Sequence, residues 1–427
     1  MKISTRVASC WLMLLIMPAA QAQQLRYGET VTSRQRPELD PLGIRAAGFL
    51  IYPSLAVSEQ YNDNIFADDG EEVDDFITFI GPAVKVNSDW NNHALNFRAD
   101  ANIAKYADNG DEDYENYAFG TDGRLDITRN QSLFANALYS HLTQTRGDPE
   151  DRDAEDDERG RFQTEYDLYT ITGGYNHRFN RLSVKLEGTG AQYDYDNATA
   201  LDGSTINQDV RDRTDAIGTL RAAYELTPGY STFLLGSYNN RSYDIERDID
   251  GTQRSSDGYE VALGAELALT GVTTGELYVG YRSQFYDDPT LDTIDGVQGG
   301  ASIYWNVTTL TTITGRVERT IEDTTFNTTT TVGGTRTPAA GYFSTRYGVI
   351  VDHELLRNLL LQASLFGIQE DFSGIDRTDD SLLATVGATY LMNRYLDLSI
   401  GYGYRDRSSE FNDFSQNTAT LTLNVKL

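Results

Sequence analysis

A strict alternation of apolar and polar residues recurs along nearly the whole chain and constrains its fold more than any other feature. In LDLSIGYGY at 396–404, Leu, Ile or Tyr occupies every second position, with Asp, Ser or Gly between. The same pattern appears in LNFRADANI at 95–103, LSVKLEG at 182–188 and YEVALGAELAL at 259–269. Successive side chains of a strand point to opposite faces, so each segment predicts a strand with one apolar face and one polar face.

Connectors of two kinds alternate between these segments. The short connectors lie at 87–92, 129–132, 178–181, 226–230, 270–275, 306–310, 355–358 and 392–395. The longer connectors are rich in acidic residues and lie at about 62–75, 107–116, 146–163, 195–212, 244–257, 287–297, 322–341, 373–379 and 406–416. Eight turns and nine loops join 18 strands, with 16 as the alternative count because one missed or split hairpin changes the number by two.

This pattern predicts an all-β fold, a transmembrane antiparallel up-and-down β-barrel with short periplasmic turns and long acidic extracellular loops. Closure of the barrel removes the unpaired sheet edges that lipid does not tolerate. A soluble β-propeller or β-helix would bury its apolar face in a core and would not require short and long connectors to alternate.

The first residues predict export from the cytoplasm. Two basic residues precede an apolar run that is too short to span a membrane as a helix, and Ala20-Gln21-Ala22 fits a processing site. We expect insertion into a Gram-negative outer membrane after Sec-type export, with a signal peptide at 1–22, a periplasmic N-terminal segment at 23–46 and the barrel at 47–427.

Charge and cysteine content limit the partners. The chain carries 64 acidic against 35 basic residues, a net charge of −29, which argues against a nucleic-acid partner. The single cysteine, Cys10, lies in the expected signal peptide, so neither a disulfide nor a thiolate metal site is expected after processing. No cofactor is expected. The expected partners are outer-membrane lipid and lipopolysaccharide.

Several phrases carry a resemblance to a known family. RPELDPLGIR at 36–45, FLIYPSLAVSEQYNDNIF at 49–66 and YLMNRYLDLSIGY at 390–402 resemble the outer-membrane barrels called beta-barrel porin 2. The resemblance runs over roughly 36–427 and implies a barrel often associated with exopolysaccharide or capsule export, without assigned catalytic or binding residues. The last strand, TATLTLNVKL, resembles the signal read by the barrel assembly machinery, with Leu427 in place of the usual terminal aromatic.

Charged residues on the polar faces are candidates for the wall of a pore. Both signs occur, so the wall could form a polar permeation path with local selectivity. The alternative, compatible with the first, is that these residues pair across strands. The candidates are Arg98, Asp100, Lys185, Glu187, Arg221, Glu260, Glu266, Glu276, Arg282, Arg316, Glu318, Arg346 and Asp397.

The loops raise two further questions. The densely charged loop at 146–163 is predicted to be solvated surface, and the Thr-rich loop at 322–341 is the better candidate to fold into the lumen. ERDIDGTQRSSD at 246–257 has acidic residues spaced as in an EF-hand loop, but its flanks alternate with the period of a strand. We therefore expect at most weak surface binding of a divalent cation, by Glu246, Asp248, Asp250 and Asp257.

Three function classes can be weighed. Of the four histidines, His93, His177 and His353 lie next to short turns and only His141 lies well within a strand, and no nucleophile, metalloprotease or phosphate-loop motif is present. An enzyme is therefore not expected. The polar loops argue against adhesion. The expected function is a porin-like channel that takes part in exopolysaccharide export; the alternatives are a general diffusion pore for small hydrophilic solutes and a non-conducting structural or adhesion barrel.

Overall fold

The protein forms one large antiparallel barrel in a computed structural model that describes residues 29–70, 72–147, 162–200, 203–248, 251–324, 327–329, 336–409 and 413–427. Eighteen long strands form the wall. In chain order they are β1 Phe49–Asn62, β2 Asp75–Ser88, β3 Ala94–Tyr106, β4 Tyr114–Thr128, β5 Gln131–Thr143, β6 Glu165–Phe179, β7 Leu182–Tyr195, β8 Arg213–Thr227, β9 Tyr230–Tyr243, β10 Ser256–Thr270, β11 Thr273–Tyr286, β12 Ile294–Thr308, β13 Thr311–Asp323, β14 Gly341–Leu356, β15 Leu359–Ser373, β16 Thr378–Asn393, β17 Leu396–Ser408 and β18 Phe414–Lys426.

Each strand pairs with its neighbours in sequence, and the first strand closes the barrel against the last. The closing pair runs from Ser54 opposite Lys426 to Asn62 opposite Thr418. Closure pairs the backbone groups of every wall strand, which an environment without water requires. The predicted 18-strand antiparallel barrel with eight short turns and nine longer loops is confirmed.

The alternating sequence accounts for the two faces of the wall. In β17, Leu398, Ile400 and Tyr402 are 38, 62 and 48 % exposed on the outer face, whereas Asp397 on the inner face is 7 % exposed. Large apolar side chains are exposed in the same way all round the barrel. So much exposed apolar surface is unusual for a soluble protein but is what a hydrocarbon-facing wall presents.

Short turns and aromatic rings mark the periplasmic end. Several strands carry a bulge just before the turn, as at Glu225 and Thr227 in β8, which increases the local twist. Gly229 in the turn after β8 adopts a φ of +86°, a conformation that glycine adopts without steric cost. Of the three tryptophans, Trp90 and Trp305 lie close to short turns and are 44 and 47 % exposed.

Shorter elements complete the described chain. Ile44–Ala46 pairs with the start of β1, Ala198–Thr199 pairs with Thr205–Ile206, and Asn327–Thr329 pairs with Arg336–Pro338. Helical structure in these parts of the chain is confined to two 3-10 turns, at Gly110–Glu112 and Asp209–Arg211. No helix within the described ranges is long and apolar enough to span a membrane.

Candidate channel and its two mouths

All thirteen candidate pore residues lie on the inner face of the closed sheet, opposite the exposed apolar side chains. Arg98 and Asp100, for example, alternate with Phe97, which is 43 % exposed on the outer face. The sequence period alone sets this placement, because successive strand residues point to opposite faces. The proposal that these residues govern permeation stays a prediction.

The inner charges are largely matched across strands. Arg221 on β8 donates through Nη2 to Glu276 on β11 at 3.0 Å and also binds Glu266 on β10. Lys185 and Glu187 pair on β7 at 2.7 Å. The register places Glu260 opposite Arg282, and Glu318 opposite Arg346.

Three more candidates have other partners. Asp397 pairs with Lys426 near the periplasmic end. Arg316 donates to the Tyr304 hydroxyl at 3.4 Å, and Arg98 lies over Gly120.

This pairing lets us predict the selectivity of a lumen mutant. Arg221→Leu would leave Glu266 and Glu276, which are register partners, facing each other without a cation. We expect a shift of the reversal potential toward cation selectivity in a salt gradient across a planar bilayer, because rings of one charge sign select the opposite ion. Glu266→Gln should shift the potential in the opposite direction; equal reversal potentials for both variants would contradict a role of this cluster in permeation.

A second sector of the wall is uncharged at mid-height and was not singled out from the sequence. Hydroxyl and amide groups interlink there across β1 and β15 to β18, whose alternating threonines and serines were visible but carried no distinctive motif. The pairs are Ser58 with Thr422 at 2.9 Å, Gln60 with Thr420 at 2.9 Å, Ser364 with Thr385 at 2.7 Å and Thr389 with Ser399 at 3.0 Å. The lumen therefore has a charged wall and a hydroxyl wall; we use "hydroxyl wall" for these eight residues.

Residues 29–40, which we call the N-terminal strap, lie inside the periplasmic mouth. Val31 is fully buried, and its backbone N–H donates to Thr312 Oγ1 at 3.0 Å. Arg36 is 2 % exposed and donates through Nη2 to Glu354 Oε2 at 2.8 Å. Thr32 Oγ1 donates to Asp352 at 3.1 Å. The strap is therefore fixed to the inner face of β13 and β14.

The strap must cross part of the opening to reach these anchors. The chain enters the barrel at β1, and β15 to β18 lie between β1 and β14 around the wall. The backbone on this path therefore lies across the periplasmic ends of four strands. These contacts could not be predicted from the sequence, because Arg36 and Glu354 are far apart in the chain and neither belongs to a recognisable motif.

A loop segment crosses the extracellular mouth. Gly147 lies just beyond the end of β5, yet its carbonyl accepts hydrogen bonds from Arg407 at 2.8 Å and Arg405 at 3.1 Å on β17. Arg146 is 5 % exposed and binds Glu112 through two nitrogens, at 2.9 and 2.7 Å. Residues 144–147, which we call the crossing segment, thus reach over the sector formed by β18 and β1 to β4.

These contacts correct one expectation about the loops. The prediction that the charged loop at 146–163 is solvated surface is wrong for Arg146 and Gly147, because both are buried; residues 148–161 lie outside the described residues. In the Thr-rich loop, Thr324, Ala339 and Ala340 are buried, and Arg254 donates to the carbonyls of Thr324 and Ala339. The loops at 146–163 and 322–341 therefore both contribute to the cover over the extracellular mouth.

Two of the acidic residues that suggested cation binding have other partners. Asp248 is engaged by Arg254 at 3.0 Å, and Asp257 accepts from the Tyr238 hydroxyl at 2.6 Å on the outer face of β10. Glu246 is exposed, and Asp250 lies outside the described residues. Across the described ranges, no group of three or more His, Cys, Asp or Glu side chains is arranged to hold a metal ion.

One loop carboxyl near the extracellular rim has a strongly altered acidity. Burial raises the pKa of Asp212 to about 6, nearby Asp194, Asp209 and Asp244 add to the rise, and the hydrogen bond from the Tyr195 N–H opposes it. Because the pKa in the folded state is above the value of about 3.9 in an unfolded chain, protonation stabilises the folded loop. Its stability should therefore rise as the pH falls from above 6 toward 4.

That direction can be measured by limited proteolysis of the folded barrel. We expect cleavage near Asp212 to be slower at pH 5 than at pH 7.5, and Asp212→Asn to remove most of the difference because the amide does not ionise. Proteolysis of the variant in parallel corrects for the pH dependence of the protease. Cleavage of the native loop that is fastest at pH 5 after this correction would contradict the raised pKa.

Comparison with known proteins gives the family. The family model described as putative beta-barrel porin 2 matches residues 36–427. The chain belongs to this family. It is thus a porin-like outer-membrane barrel, as the sequence resemblance indicated. No curated protein matches the sequence.

Several solved structures are similar to this chain at low sequence identity. The copper transporter OprC is 10 % identical with a TM-score of 0.50, covering 90 % of this chain and 81 % of its own. The siderophore receptor PiuA from Acinetobacter baumannii is 10 % identical with a TM-score of 0.49, covering 90 and 82 %. OpdO from Pseudomonas aeruginosa is 12 % identical with a TM-score of 0.45, covering 89 and 97 %. At 10 % identity the likeness to OprC concerns the fold alone.

Proposed function

We propose that this barrel is a channel of the Gram-negative outer membrane that takes part in export of an exopolysaccharide. The observation that carries the proposal is the hydroxyl wall, in which four hydrogen-bonded pairs of neutral donors and acceptors line the inner face of β1 and β15 to β18. A polyhydroxylated neutral chain can exchange hydrogen bonds along such a wall without displacing a bound charge. On the charged wall of the lumen, positive and negative side chains are paired, so neither sign of charge dominates and would hold an ionic cargo.

The proposed mechanism is passage without chemistry. His141 is the histidine nearest to a catalytic arrangement: its Nδ1 lies 2.8 Å from Asp167 Oδ1, and its ring stacks on Tyr117. Both partners lie on the outer face of the wall, away from the lumen. Within the described part of the chain the ring nitrogens of His141 contact the carboxylates of Asp167 and Glu165, and a catalytic set would also need a nucleophile in hydrogen-bond reach. We therefore propose that the protein is not an enzyme and acts through its lumen.

Because both mouths are partly covered, we favour a regulated conduit as the function and not an open general pore. The strap is fixed to β13 and β14 at the periplasmic end, and the crossing segment reaches from β5 to β17 at the extracellular end. A general diffusion pore for small hydrophilic solutes is the second candidate, because an 18-strand wall is wide enough for an aqueous channel. We propose Sec-type export and insertion by the barrel assembly machinery for its biogenesis.

Deletion of the gene separates the two transport functions. Loss of surface polysaccharide with unchanged uptake of small solutes is the result that export predicts. Reduced uptake of small sugars with normal surface polysaccharide would instead support the general pore and contradict the proposal. Restoration by the native chain, in parallel with a variant carrying Thr385→Val and Thr420→Val, tests whether the hydroxyl wall is needed.

A further inference from the structure

The outer wall carries a groove that lies outside the proposed conduit. It has a volume of about 810 Å³ and is lined mainly by outward side chains of β2 to β8. Its floor follows a row of register partners from Phe97 through Thr121 and Ala137 to Ile171 and Gly190. The small members of this row leave space that larger outward residues fill elsewhere on the barrel.

The groove changes character along its length. Phe97 lies near the short-turn end of β3, whereas Gln192 and Thr214, which are register partners, lie near the long-loop ends of β7 and β8. The row crosses strands that tilt by about 45° in a membrane barrel, so it descends obliquely from the extracellular rim into the apolar zone. One end is therefore polar and near the headgroups, and the other is apolar and deep.

Aromatic rings and polar groups meet at the upper end. Tyr139 and Tyr169 lie with their ring centroids 4.9 Å apart, and Phe119 is parallel to Tyr139. The Tyr139 hydroxyl donates to Asp167 Oδ1 at 3.1 Å, which orients the carboxylate at this rim. Ring faces beside carboxylate and amide oxygens are suited to the C–H faces and hydroxyl groups of a sugar.

The charge at this end favours a sugar over a phosphate group in contact with the rings. Glu165 and Asp167 lie beside the aromatic rings and outnumber the one histidine between them, His141, and the only basic residue among the described residues that line the groove is Arg98, whose side chain is on the inner face. Burying an acyl chain in a wall already surrounded by lipid yields little hydrophobic gain, so packing and the polar end must provide selectivity. We propose that the groove binds an acylated sugar of the outer leaflet, with a chain in the groove and the sugar at the Tyr139, Tyr169 and Gln192 end.

Native mass spectrometry of the whole barrel in detergent tests this binding, with monophosphoryl lipid A as the acylated sugar and phosphatidylethanolamine as the competing lipid. We expect one tightly bound lipid A and about tenfold weaker binding of phosphatidylethanolamine. Gly190→Phe should greatly reduce lipid A binding. A Cβ at Gly190 would meet Ile171 at an ordinary 3.6 Å, so the larger side chain extends into the groove without disturbing the wall.

Gly315→Phe is the matched control, since Gly315 also faces outward, on β13 far from the groove, with open space around its Cβ position. It should bind lipid A as the native barrel does. Ala137→Phe is a second variant that fills the groove, for use if Gly190→Phe fails to fold. Heat-modifiable mobility on a gel shows whether each variant has folded. Unchanged binding in a folded filled variant, or equal binding of the two lipids, would overturn the proposal.

Discussion

Glu354→Gln is expected to raise the conductance of the barrel severalfold in planar bilayers. The substitution removes the carboxylate that pairs with Arg36, and the two side chains of this pair are only 3 and 8 % exposed. Leaving one member of a buried pair without its partner costs about 3–5 kcal/mol. Because the strap has few other ionic anchors on the wall, we expect this penalty to release it from the periplasmic mouth.

The same strap offers a matched control. Arg357 pairs with Glu38 at 2.7 Å, but both side chains are more than half exposed, and exposed pairs contribute little to stability. Glu38→Gln should therefore leave the conductance unchanged; Arg357 itself is kept because its Nη1 also lies 3.7 Å from Glu354 Oε1. Deletion of residues 29–40 should reproduce the effect of Glu354→Gln. A deletion variant that conducts like the native barrel would contradict the view that the strap narrows the opening.

Gly147→Val is expected to detach the crossing segment at the extracellular end. Gly147 has a φ of +78°, and an added Cβ would lie 2.7 Å from the Phe414 ring and 2.8 Å from the Ala67 Cβ. A branched residue at such a φ costs about 1–3 kcal/mol before any clash is counted. We expect faster proteolysis next to the segment and a higher conductance, because the hydrogen bonds from Arg405 and Arg407 depend on the position of this carbonyl.

Gly203→Val separates the clash from the backbone strain. Gly203 has a φ of +87°, but an added Cβ there would meet nothing within 4 Å. Both variants therefore carry similar backbone strain, and only Gly147→Val adds a collision inside the mouth. Conductance that rises equally in the two variants, or in neither, would show that the packing of Gly147 against Phe414 does not hold the mouth covered.

The barrel could be predicted from the sequence because its rules are local. The period of two in segments such as 396–404 specifies both the strand and its two faces, and the alternating connectors specify the order of neighbours. The register follows, since a slip by one residue would turn Leu398 and Ile400 into the lumen. The inner placement of residues such as Arg221 and Glu276 follows from the same period.

The contents of the mouths could not be predicted because they depend on contacts between distant parts of the chain. Arg36 meets Glu354 and Gly147 meets Phe414 only after the sheet has closed, and no local pattern marks either pair. The many charges of the loop at 146–163 predicted a solvated surface. Arg146 is nevertheless buried, because its guanidinium forms a bidentate pair with Glu112 from another loop. The outer groove depends on small residues that alternate like any others in their strands.

The most direct test of the proposed conduit is the current through the refolded, full-length barrel in a planar bilayer, with and without a neutral linear oligosaccharide. We predict a steady current, larger after deletion of residues 29–40, that the oligosaccharide blocks in a concentration-dependent way. Thr385→Val with Thr420→Val should weaken the block while leaving the open current intact. A barrel that carries no current even without the strap, or a current that the oligosaccharide does not alter, would contradict this function.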